Sequence, residues 1–231
     1  MVQLLILSLR RWSNARRVKR EKLYIVVFCE GESEQAYADF LKREFRDVAV
    51  IQRPKSTGTF DEAGRRFRND HKYLNNAEVT DEIWFFFDVE SVDIPKWSGR
   101  LRIISRLRKL RKKPRIRIRL LMTTGCIEYW LMLHYEYLAP PIRTVADKER
   151  MLNRVVTKEP TYKKGDMDAI SRIAENYPTA VVNAGKTVNN LLSQGLPGLD
   201  NTDKRNEWLC TQCLTFSAVY EAIEFLESLK S

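Results

Sequence analysis

Two short apolar runs in this chain each end on carboxylates. Leu23-Tyr-Ile-Val-Val-Phe-Cys29 stops at Glu30-Gly31, and Glu82-Ile-Trp-Phe-Phe-Phe-Asp88 is followed by Val89-Glu90. Runs of seven residues rich in β-branched and aromatic side chains, with no polar alternation, read as strands buried on both faces. That environment is found in the middle of a parallel sheet. Between and after them the helical period takes over. Tyr37, Phe40, Leu41 and Phe45 predict a helix over 34–45 with Ser33 as its N-cap. Val48–Ile51 reads as a second strand, 60–75 and 98–112 as helices, and Arg115–Met122 as a further strand. In that last strand Arg115, Arg117 and Arg119 share one side, and Ile116, Ile118 and Leu120 the other. Strands alternating with helices predict a doubly wound α/β domain with a mostly parallel sheet, over residues 23–138.

The very apolar stretch 126–138 reads as a buried helix stopped by Pro140-Pro141. Residues 139–231 read as a helical portion packed on the sheet, with helices at 145–156, 166–176, 179–193 and 215–229. Ahead of the first strand, residues 1–22 hold the apolar Met1–Leu9 and then seven basic residues against one acid. They read as a basic arm, either solvated or in contact with phosphate. The apolar part is too short to span a bilayer, which takes about 20 residues, and its basic cluster follows it instead of preceding it. A soluble, cytoplasmic protein is therefore expected. Of the four cysteines, Cys210 and Cys213 form a lone CxxC; without a second pair, buried reduced thiols are a better reading than zinc.

Ligands of open α/β sheets bind outside the carboxyl ends of the strands. If the two acid-ended strands are neighbours, Glu30, Asp88 and Glu90 converge there. Uncompensated, they would raise one another's pKa. A hard divalent cation, Mg²⁺ or Mn²⁺, relieves that repulsion and would support metal-assisted phosphodiester cleavage. The competing reading is acids that merely cap the next helix or pair with arginine. Glu128, an acid in apolar company, either orients an arginine or adds a fourth acid. His134, among Leu131, Met132, Leu133 and Tyr135, reads first as a core histidine; six residues from Glu128, it faces another way. Lys163, Lys164 and Asp166 either touch phosphate or solvate a turn, and Tyr162 is placed to stack on a base.

Charge points to the partner. Lys plus Arg number 40 against 30 Asp plus Glu, a net +10. Eleven basic residues lie between Arg100 and Arg119 with no acid among them, including Arg106, Arg108, Arg111 and Arg117. Such a run must be offset by acids elsewhere in the fold or by an anionic partner, either DNA or RNA read mainly through its phosphates or an acidic protein surface.

Glu30-Gly31-Glu32-Ser33-Glu34 followed by Asp88-Val89-Glu90 resembles the Toprim pattern. More of the chain is similar to the RloB-like family, through Cys29 to Glu34, Asp81 to Glu90, Cys126 to His134 and Tyr162-Lys163-Lys164. The resemblance implies a Toprim (Rossmann-like) fold and a nuclease-like site, to which Glu34, Glu128 and His134 are candidate additions. It also implies association with phage-defence or restriction loci, beside an ATPase partner. Two positions depart from the family pattern. Glu90 stands where the paired-acid motif has Asp, and Thr123-Thr124-Gly125 replaces Ser-Asn-Pro. They leave open a non-catalytic, nucleic-acid-binding subunit.

Overall fold

The computed structural model describes residues 21–212 and 214–230. The apolar start, the basic arm as far as Arg20, and Cys213 lie outside those residues; of the arm Glu21 and Lys22 are described, and Lys22 Nζ donates to Arg46 O at 2.7 Å. Four strands form one all-parallel sheet: β1 (Leu23–Cys29), β2 (Ala49–Gln52), β3 (Glu82–Val89) and β4 (Arg117–Thr124), in the order β2-β1-β3-β4. The expected α/β fold with flanking helices is thus observed. Every β1 residue from Ile25 to Cys29 is buried, as is β3 from Glu82 to Phe87. Burying each large apolar side chain among them contributes roughly 1.5–3 kcal/mol, which fixes these two strands at the centre.

Helix α1 (Glu32–Glu44) follows β1 and buries Tyr37, Phe40 and Leu41 as its spacing predicted. Its N-cap is Gly31, not Ser33. The Ser33 hydroxyl instead accepts the Gly165 N–H at 2.9 Å, a tie to the far half of the chain. The single helix expected over 60–75 is two, α2 (Phe60–Asn69) and α3 (His71–Asn76). Asp70 breaks it by leaving the helical region and accepting the Lys72 N–H, so that it caps the second piece. A 3₁₀ turn over Ser91–Lys96 leads into α4 (Trp97–Arg108). Helix α5 (Ile127–Met132) is shorter than the apolar stretch suggested. That stretch is buried through His134 because it turns inside the core, not because it stays helical.

The remaining helices are α6 (Val145–Lys158), α7 (Met167–Ala174), α8 (Tyr177–Asn190), α9 (Asp203–Thr211) and α10 (Tyr220–Ser228). Pro178 sits in the first turn of α8, where its missing N–H costs nothing, instead of separating two helices. Helix α9 escaped the sequence reading because its apolar periodicity is weak. Its start is set by Thr202, whose hydroxyl accepts the Arg205 N–H at 3.2 Å. The outer edge of β4 is covered by the approach to α10: Ala218 N–H reaches Met122 O at 2.8 Å, and Thr124 N–H reaches Phe216 O at 3.0 Å. Covering an edge in this way removes a template for unwanted strand pairing.

One hydrophobic core runs through both halves of the chain, from Ile25 to Leu226. Residues 139–230 are therefore part of the same packed body as the sheet. Cys29, Cys126 and Cys210 are buried and free. Among the described residues no helix is long and apolar enough to cross a membrane.

His134 is fully buried and has both ring nitrogens engaged. Nδ1 lies 3.0 Å from the Trp130 carbonyl oxygen, which can only accept, so Nδ1 donates and Nε2 accepts from the Tyr37 hydroxyl at 3.1 Å. Replacing His134 with leucine strands the Tyr37 hydroxyl in the core, while the Trp130 carbonyl keeps the Leu133 N–H at 3.1 Å. We expect His134→Leu to cost about 1–3 kcal/mol in urea unfolding. A cost below about 0.5 kcal/mol would show that the two bonds contribute nothing net.

Candidate functional site: a carboxylate cluster at the sheet switch point

The connection from β1 runs to β2 on one side, and the next pair, β3 and β4, lies on the other. The crevice between the carboxyl ends of β1 and β3 is thus the point where the winding reverses, the usual ligand site of such sheets. Register puts Cys29 beside Phe86, so Glu30 and Asp88 emerge there together. The Glu30 carboxylate accepts the Asp88 N–H at 2.9 Å, while Glu30 N–H donates to Phe86 O at 3.0 Å. Glu30 therefore ties two strand ends together and does not cap α1, whose start carries no side-chain cap.

Asp88 follows Phe86 on the sheet face that packs on α1, where Phe86 meets Tyr37 edge to face. Glu34 from the first turn of α1 and Glu128 from the first turn of α5 are both buried, at 4% and 1% exposure. Burial raises the Asp88 pKa well above the usual carboxylate range, and the charges of Glu34, Glu30 and Glu128 raise it further. Burial likewise lifts Glu34 to about 7, with Glu30 and Glu128 adding to the effect. Glu30 is raised by burial and held down by the Asp88 N–H it accepts. Four carboxylates thus feel one another. Gly31 makes room for this: a Cβ there would lie 2.8 Å from Glu34 Oε2. Its backbone is extended, φ −134°, so no special conformation calls for glycine; a larger residue would displace the end of the Glu34 side chain.

Glu90, expected as the third acid of the set, stands at the rim. Its N–H donates to Asp93 Oδ2 at 3.1 Å and its backbone carbonyl accepts the Asp93 N–H at 2.9 Å, while its carboxylate pairs with Lys148 of α6. Glu34 and Glu128 hold the inner places. The second half of the chain supplies what faces them. The Tyr162 hydroxyl donates to Glu128 at 3.1 Å, and Lys164 Nζ is 3.6 Å from the same carboxylate. Tyr162 is buried, 4% exposed, so it is not available to stack on a base. Lys163 and Lys164 are exposed. His134 is structural, as described above, and takes no part in the cluster. Lys148 carries no sequence signal; it is one cation among many on an amphipathic helix, and only the packing of α6 on α5 brings it to the acids.

The donor set suits a hard divalent cation chemically. Asp88 Oδ1 is buried with no hydrogen-bond partner, the kind of orphaned acceptor a cation would satisfy. As they stand, the carboxylates are not drawn around one point: among the described residues no group of three or more His, Cys, Asp or Glu side chains is placed to hold an ion. Binding would require side chains to turn inward and water to complete the coordination.

The basic stripe divides in two. Arg108 is bidentate to Asp203 at 2.7 Å through both nitrogens. Arg111 donates to Asp81, to Pro114 O and to Glu78 O. Arg100 pairs with Asp93 at 2.9 Å and lies over the Phe60 and Phe87 rings, and Arg119 pairs with buried Glu82. These four brace the fold, so Arg108 and Arg111 are occupied where they were expected to grip phosphate. Arg102, Arg106, Lys109, Arg115 and Arg117 form no ion pair among the described residues.

The RloB-like protein family model matches residues 25–226, nearly all of the described chain. The chain belongs to the RloB-like family. Neither the search of curated proteins nor that of solved structures returned a match.

The pKa values give this RloB-like protein a measurable signature. Because Glu34 titrates near 7 when folded and near 4.5 when unfolded, the native state holds the extra proton between those values, and stability falls as pH rises through them. His134 acts in the opposite sense: its pKa drops from 6.5 to about 4, so stability rises with pH across that interval. The two partly cancel, so the informative quantity is the difference between wild type and Glu34→Gln. In metal-free buffer that difference should shift against the wild type by on the order of 2–3 kcal/mol between pH ~4.5 and ~8. A difference independent of pH would mean that Glu34 ionises like an ordinary surface carboxylate.

Proposed function

We propose that this cluster hydrolyses phosphodiester bonds in nucleic acid with the help of Mg²⁺ or Mn²⁺. The observation that carries the reading is the orphaned, buried Oδ1 of half-buried Asp88 among Glu30, Glu34 and Glu128 at the switch point. A bound divalent cation would polarise the phosphate and lower the pKa of an attacking water. Asp88 and Glu30, at the two strand ends, are the residues to hold it. Glu34 and Glu128 line the inner side of the site, and Tyr162 fixes the Glu128 carboxylate by its hydrogen bond. Glu90 with Lys148 closes one side of the mouth, and Lys164 stands at another. The Toprim assignment is supported by the acid pattern on a parallel sheet. A place in phage defence or restriction, with an ATPase partner, follows from family resemblance alone.

One observation favours a second reading, a non-catalytic nucleic-acid-binding subunit. Lys148 and Lys164 already provide two cations to the acids, and the carboxylates are not preset around an ion. The two readings separate in a cleavage assay on plasmid, single-stranded DNA and RNA with Mg²⁺ or Mn²⁺. Under the hydrolase reading, Glu30→Ala and Asp88→Ala each lower cleavage roughly 100-fold or more, with an unchanged circular dichroism spectrum. Full activity in folded Asp88→Ala protein would remove the cluster from the reaction. Salt-sensitive binding without cleavage by wild type would favour the binding subunit.

A further inference from the structure

A groove of about 1240 Å³ opens beside the acid cluster and runs along α4. Glu30 is the one cluster carboxylate on its lining, so the groove leads to the site. Small-molecule pockets occupy ~300–1000 Å³; an open groove larger than that suits a polymer. Its α4 wall carries Arg102, Arg106 and Lys109, spaced four and then three residues apart and hence on one helix face. All three are exposed and none has an ion-pair partner among the described residues, in contrast to Arg100 and Arg108 on the same helix. They extend along about 10 Å of helix, a length over which one nucleic-acid strand offers about three phosphates.

The opposite wall is different. It is formed by Thr59, Phe60 and Asp61 at the start of α2, and Asp61 is exposed and unpaired among the described residues. Phe60 is buried beneath Arg100 and packed on Phe85, so no aromatic ring is offered to bases. One wall attracts phosphate and the other repels it. We infer that the groove is a track for a single nucleic-acid strand, held by its phosphates along Arg102, Arg106 and Lys109 and led to Glu30, with a second strand excluded by Asp61. This rests on the hydrolase reading for what happens at the end of the track, but binding along it does not require that chemistry.

The test is fluorescence anisotropy with the full chain in EDTA, using a labelled single-stranded oligonucleotide and the duplex of the same sequence. Single strand should bind at least ~10-fold more tightly than duplex. Arg102→Glu with Arg106→Glu and Lys109→Glu should lower single-strand affinity by at least ~10-fold and reduce the slope of log affinity against log salt by about 2. The milder Arg106→Gln should weaken binding in the same direction, and Arg115→Glu with Arg117→Glu, outside the groove, should leave the preference intact. Asp61→Asn should narrow the gap between duplex and single strand. Duplex bound as tightly as single strand by wild type, or groove variants that bind like wild type, would overturn the track, the second result pointing to an acidic protein as the occupant of α4. Single-strand binding as described, with no cleavage in Mg²⁺ or Mn²⁺, supports the track and removes the hydrolase reading, so the two fail separately.

Discussion

Like charges gathered at the end of a hydrophobic sheet repel, and much of this molecule is arranged around that repulsion. The core requires β1 and β3 to lie side by side, because both are buried on both faces. Parallel pairing then delivers Glu30 and Asp88 to the same crevice whatever their charges prefer. The answer to this is local and specific. Asp88 N–H is donated to Glu30, Glu90 is drawn to the rim by Lys148, and Glu128 is given Tyr162 and Lys164. Asp88 Oδ1 remains without a partner. A group left in that condition inside an otherwise satisfied structure marks where stability has yielded to another requirement.

The central features were legible because their causes are local. A buried strand shows as an unbroken apolar run, and β1 was read to the residue and β3 to within one. Helices with strong periodicity, α1 and α6, were also found. What escaped depended on contacts distant in the chain. Asp70 splits α2 from α3 through one cap that a helical pattern conceals. Helix α9 has little amphipathic pattern because Arg205 and Asn206 are buried in it, with Arg205 paired to Glu221 of α10. The acid site was half legible. Glu30 and Asp88 announce themselves at strand ends, whereas Glu128 stood between two readings until α5 was set against β4, and Lys148 had nothing to distinguish it.

The basic stripe shows the same division more sharply. As sequence, its eleven residues are equivalent. In the fold, α4 sends Arg100 inward over two aromatic rings and Arg108 across to α9, while Arg102, Arg106 and Lys109 keep to the groove side. Charge count suggested the class of partner, but helix phase decides which charges are available to meet it.

The bond from Gly165 to Ser33 joins positions 132 residues apart in the chain. A Cβ on Gly165 would come within 2.9 Å of Glu32, so the loop seats closely against the start of α1. The consequence concerns divisibility. A fragment ending after α5 would keep all four strands and every inner acid, yet lose Lys148, Tyr162 and Lys164 together, leaving the anionic crevice without its counterweight. Sheet and helical portion are therefore one unit of inheritance: neither can be exchanged for a homologous part unless the seam between Ser33 and Gly165 is carried with it.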